Sequence, residues 1–88
     1  MNWRRCPDIK TTLLPDGYVA LSTENTDWIH ILNPIGALVW ELSDGDLSTD
    51  EIITQIENLI QPPDRAALKG EIDQFAKELL ENGLLNEK

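Results

Sequence analysis

Apolar side chains occupy both faces of Trp28–Leu32 (WIHIL), and Asn33-Pro34 follows at once. In an extended strand Trp28, His30 and Leu32 point one way while Ile29 and Ile31 point the other. Asn33-Pro34 then stops the strand and starts a helix. Asn is a strong N-cap, and Pro in the first helical turn loses no hydrogen bond, because its N–H would be unpaired there anyway. One face of the strand belongs to a core. A small domain seldom covers the second face by itself, so this strand calls for a cover from another chain.

The chain has 88 residues, enough for one domain spanning 1–88 with a single modest core. Cys6 is the only cysteine, which rules out an internal disulfide and fits a reducing compartment. No apolar run approaches the roughly 20 residues of a membrane span, and the opening MNWRRCPD lacks the apolar centre of a secretion signal. The expected location is the cytoplasm, away from membranes. The net charge is −9, and no Lys or Arg occurs between Thr11 and Asp64. Phosphate backbones are held by several Lys and Arg contacts at once, so neither nucleic acid nor an anionic membrane is an expected partner.

Met1–Asp8 has no usable periodicity and is expected as a loosely held lead-in. Lys10–Leu14 and Tyr18–Ser22 are β-prone runs joined by Pro15-Asp16-Gly17, with Pro at a turn corner and Gly at a positive φ, which predicts a hairpin. Thr23–Asp27 is polar and turn-like, and Trp28–Leu32 is the third strand of the meander. In the first helix Ile35, Leu38, Val39 and Leu42 form the apolar stripe, Trp40 lies off it at the core's edge, and Ser43-Asp44-Gly45-Asp46 ends it with Gly45 left-handed. Ser48-Thr49-Asp50-Glu51 is a capping box opening a second helix to about Ile60, with Ile52, Ile53, Ile56, Leu59 and Ile60 on its buried side. Gln61-Pro62-Pro63 breaks it. A third helix runs from near Asp64 to Asn82 with Gly83 at its C-cap, and Leu68, Ile72, Phe75 and Leu79 form its core stripe. Leu84-Leu85 is expected to pack back under the sheet. The fold class is α+β and winged helix-turn-helix-like: a three-stranded antiparallel sheet followed by three helices.

Catalytic residues are not evident. The only histidine, His30, sits in the third strand, and Cys6 lies outside the predicted core, so no sequence feature brings a base to a nucleophile. One His and one Cys cannot build a zinc site from nitrogen and sulfur ligands. Asp44-Gly45-Asp46 with Asp50 lacks the spacing and bidentate Glu of a calcium loop. Neither a metal nor a cofactor is expected, and the chain is not expected to be an enzyme. Winged-helix domains often bind DNA, which makes a DNA-binding regulator the alternative. The second helix, however, carries Asp50, Glu51 and Glu57 with no basic residue, and the third mixes Arg65, Lys69 and Lys77 with acids.

Peptide binding is the remaining class. As the last strand of a meander, Trp28–Leu32 is an edge, and it lacks the Lys, Pro or charge that guards most edges. An extended peptide can add to it as a further strand, and the same edge would also allow dimerisation. At 100° per residue, Lys69, Asp73, Ala76 and Leu80 flank the core stripe of the third helix and offer a second wall. Leu80 serves equally well as a widening of the core stripe.

The ordered set of Leu32-Asn33, Gly36, Val39-Trp40, Asp44-Gly45, Thr49-Asp50-Glu51-Ile52-Ile53, Phe75-x-x-x-Leu79 and Gly83-Leu84-Leu85 resembles the PqqD family of precursor-peptide recognition elements, over about Ile9 to Leu85. The resemblance implies a non-catalytic chaperone. Such a domain binds the leader of a ribosomally made precursor peptide and delivers it to a processing enzyme. In the family the leader pairs with the third strand and lies against the third helix. Carried to this chain, the walls are Trp28, Ile29, His30, Ile31 and Leu32 on the strand and Lys69, Ile72, Asp73, Ala76 and Leu80 on the helix. The implied enzyme is a radical-SAM maturase, as in pyrroloquinoline quinone formation, or the leader peptidase of a lasso-peptide system. Trp28-Ile29-His30-Ile31 is more apolar than in a generic member.

Overall fold

Each helix begins where its capping chemistry directs. In the computed structural model, which describes residues 2–24 and 27–87, α1 spans Pro34–Leu42, and the Asn33 side chain accepts from the Gly36 N–H at 2.9 Å. Helix α2 spans Thr49–Ile60 behind the full capping box: Ser48 Oγ accepts from the Glu51 N–H at 3.1 Å, and Glu51 Oε1 accepts from the Ser48 N–H at 3.0 Å. Donation to the Glu51 carboxyl, from the Ser48 backbone N–H first and from the Ser48 side chain second, holds it below its ordinary pKa. Helix α3 spans Arg65–Glu81, with Asp64 accepting from the Ala67 N–H at 3.1 Å. It ends before Gly83, whose φ of 73° only glycine adopts freely.

The expected meander is present as β2 (Lys10–Leu13), β3 (Val19–Ser22) and β4 (Ile29–Leu32), antiparallel in the order β2-β3-β4. At the hairpin, the Leu14 N–H donates to the Tyr18 carbonyl at 2.9 Å. Asp16 as well as Gly17 takes a positive φ there, 62° and 83°. The expected turn at Thr23–Asp27 includes Asn25 and Thr26, which lie outside the described residues. Val19 pairs with Leu32 and Leu21 with His30, so these four share the inner face. Ile29 and Ile31 share the outer face with Ser22 and Ala20.

A second sheet corrects two expectations. Asn2–Arg5 is not a loose lead-in but strand β1, the middle of a sheet ordered β5-β1-β6, where β5 is Asp44–Ser48 and β6 is Leu85–Glu87. Trp3 anchors it in the core at 5 % exposure. Four residues with one aromatic are too short to reveal a period, and both of β1's partners are distant in sequence. The segment after α1 likewise continues as β5 rather than as a turn. Gly45 keeps a left-handed φ of 90°, but within β5, where the β1–β5 register shifts.

The helices also turn somewhat from their expected faces. Helix α1 buries Gly36, Val39 and Trp40, leaving Ile35, Leu38 and Leu42 half-buried. Trp40 is therefore core, not edge, and its indole N–H donates to Thr11 Oγ1 at 3.3 Å. Helix α2 buries Ile52, Ile53 and Ile56 only; Leu59 and Ile60, expected inside, are exposed at the helix end that overruns the core. Leu84 and Leu85 are buried. Among the described residues no helix is long and apolar enough to cross a membrane.

Candidate functional site

Strand β4 is an edge. It pairs with β3 on one side, and no described strand occupies the other. A backbone edge that pairs with nothing presents N–H and C=O groups to any extended chain of matching length. Its side chains do nothing to prevent this, since Ile29 and Ile31 are 66 % and 53 % exposed and uncharged. The surplus apolar face read from the sequence is thus the outer one. Leu32 is fully buried, His30 half-buried, and Trp28 reaches partly into solvent.

The wall opposite β4 is only partly the expected one. Ile72 and Ala76 are core residues at 0 % and 2 % exposure, so Ala76 does not line an open flank. The buried line of α3 is Leu68, Ile72, Ala76 and Leu79, displaced toward Ala76 from the expected stripe, and Phe75 is left half-buried. A Cβ added to Gly36 would lie 3.2 Å from the Phe75 ring and 3.4 Å from Leu32 Cβ. The bare Gly36 therefore lets the Phe75 ring close in on α1 beside the end of β4. Leu80 is half-buried, and Lys69 and Asp73 are exposed on α3.

Where β4 and the end of α3 meet, Trp28, Ile29, His30, Asn82 and Leu84 enclose a depression of about 190 Å³. Sequence periodicity could not find Asn82 or Leu84, because both lie beyond the last helical turn. The signal available was Gly83, which reverses the chain there. The Asn82 side-chain amide donates back to the Glu78 carbonyl at 2.7 Å, fixing the rim. Apolar walls with two polar groups, His30 and Asn82, suit one side chain of a bound peptide.

Chemistry of other kinds finds no arrangement here. Cys6 and His30 both border Leu84, Cys6 through its N–H to the Leu84 carbonyl at 3.0 Å, yet no hydrogen bond joins their side chains. Among the described residues no group of three or more His, Cys, Asp or Glu is placed to hold a metal ion. The DNA-binding alternative finds no support: α2 exposes Asp50, Glu51, Thr54 and Gln55 and carries no basic residue, and Arg65 faces Glu57 at 3.7 Å.

Three comparisons bear on this geometry. The family model described as "Coenzyme PQQ synthesis protein D (PqqD)" matches residues 17–85. The solved structure described as TbiB1 in complex with the TbiA(beta) leader peptide superposes with a TM-score of 0.77 at 20 % identity, over 97 % of this chain and 96 % of that one. The heterocyclase TruD superposes with a TM-score of 0.70 at 19 % identity, over 99 % of this chain but 11 % of its own. No curated protein matches.

Proposed function

The chain belongs to the PqqD family, and from that premise we propose that it is a non-catalytic leader-recognition protein of ribosomal-peptide maturation. It takes the leader of a precursor peptide as an added strand on β4 and presents it to a processing enzyme. The observation that carries this function is the open, uncharged edge of β4 lying beside the depression closed by Asn82 and Leu84. Support also comes from the fold shared, over nearly the whole length of both chains, with TbiB1, which was solved in complex with a leader peptide.

Strand addition gives affinity through backbone bonds and leaves specificity to side-chain pockets. Here Ile29 and Ile31 cover one face of the bound strand, and the His30–Asn82 depression receives a side chain from the other. Lys69, Asp73 and Leu80 extend the wall along α3, while Ile72 and Ala76 support it from within. The processing enzyme is a leader peptidase or a radical-SAM maturase, working with this chain in the cytoplasm. In TruD the same fold occupies a small share of one enzyme chain, which supports close association of fold and enzyme.

Titration of labelled chain with the leader of its precursor peptide tests this. Amide shifts should concentrate on Trp28–Leu32 and Asn82, and Asn82→Trp, which fills the depression, should weaken binding by roughly tenfold. Shifts restricted to α2, or an unchanged affinity in a folded Asn82→Trp variant together with an unperturbed β4, would place the site elsewhere.

A further inference from the structure

The outer face of the β2-β3-β4 sheet carries its apolar bulk in one column. Its two cross-strand rows run Lys10, Ser22, Ile29 and Thr12, Ala20, Ile31. The isoleucines thus stand at the β4 edge, where most edge strands place a charge. Both remain mostly exposed, so no described element covers them. On one side their neighbours are the small Ser22 and Ala20, which leave most of a β-branched side chain in water. On the other side the β4 edge is open, and no described strand stands there.

Strand geometry dictates what meets these two side chains. A strand added to β4 continues both rows, setting one of its own side chains beside Ile29 and another beside Ile31. Residues on one face of a strand alternate, so those two side chains belong to leader positions i and i+2. The leader residue between them stands opposite His30 and points to the inner face. Isoleucine pairs best across strands with β-branched or aromatic side chains, whereas a charged neighbour keeps its methyl groups hydrated. Resting on the leader-recognition function above, we propose that Ile29 and Ile31 are specificity residues for two outward-facing leader positions, selecting β-branched or aromatic side chains at i and i+2. The bound strand is then read on both faces, and on the outer one selection needs no pocket.

The test is a charge-swap cycle on the full chain, with synthetic leader peptides that each carry one glutamate in place of one residue. Ile29→Lys and Ile31→Lys alter side chains already in solvent, and an unchanged far-UV circular dichroism spectrum checks that the fold is kept. Each should weaken the unsubstituted leader by about two- to fivefold, the scale of one cross-strand pair. Glutamate at one leader position should restore affinity for Ile31→Lys, and glutamate two residues away should restore it for Ile29→Lys. Thr12→Lys, in the row of Ile31 but on β2, should gain from glutamate at no single position. Leader affinity unchanged in both isoleucine variants, restoration spread over all positions, or restoration at positions not two apart overturns the proposal while leader recognition stands. A parent chain that binds no leader removes the function beneath it. Sedimentation as a dimer that Ile31→Lys dissociates would cover the isoleucines with a second copy and also overturn it.

Discussion

At Ser48 a hydroxyl caps a helix, while the backbone N–H of the same residue, more than the hydroxyl, favours the ionised form of Glu51. Glu51 is ionised when it accepts from Ser48, so the bond lowers its carboxyl pKa. A depressed pKa contributes stability that is complete above the unfolded value and lost as pH falls through the folded one. Ser48→Ala should therefore cost about 1 kcal/mol at neutral pH, the usual scale for a lost N-cap. Because the Ser48 N–H, the larger cause, stays in the variant, the gap from the parent chain should narrow only slightly once the pH drops below the ordinary glutamate range. Urea melts at neutral and acidic pH check this, and a gap that widens with acid would contradict the assignment. Gly36 works at the same scale by absence, since any side chain there would press on the Phe75 ring.

Among the elements, those with local signals were legible in the sequence. Asn33-Pro34, the Ser48–Glu51 box and Gly83 each fix a helix boundary through neighbouring residues, and the observed helices start and stop within a residue or so of them. The hairpin was equally readable because Pro15-Asp16-Gly17 carries its own turn chemistry. What could not be read was non-local. Strand β1 is held by β5 and β6 from far along the chain, and the seat of the Phe75 ring depends on α1 leaving room at Gly36. For the same reason the open edge of β4 was legible in the sequence, while the neighbours of the candidate site, Asn82 and Leu84, were not. If β1 is structural rather than a lead-in, Trp3→Ala should destabilise the chain by about 3–5 kcal/mol, the usual cost of truncating a buried aromatic. A denaturant midpoint close to that of the parent chain would show β1 to be dispensable.

For the whole molecule the governing quantity is charge. With −9 spread over 88 residues, and Arg65–Glu57 the one ion pair found among the described residues, self-repulsion works against the folded state. Neutral salt at about 1 M, where the screening length falls to about 3 Å, should raise the melting temperature. A fall in Tm with added NaCl would mean that attractive pairs outweigh repulsion. The same imbalance opposes the approach of a second copy to β4, an edge that carries no Lys of its own.

Trp3 lies opposite Glu87 in the second sheet, with Arg5 opposite Leu85. The first and last described strands, β1 and β6, thus run side by side in opposite directions, and the two ends of the described chain lie together. A unit wired this way can be spliced into or hung from a larger polypeptide at a single point, its two connections leaving as a pair without prying the fold apart. The β4 edge belongs to the other sheet, so it stays open whatever is attached there. One architecture can therefore stand alone or form a small portion of an enzyme chain, with the β4 edge left open in either arrangement.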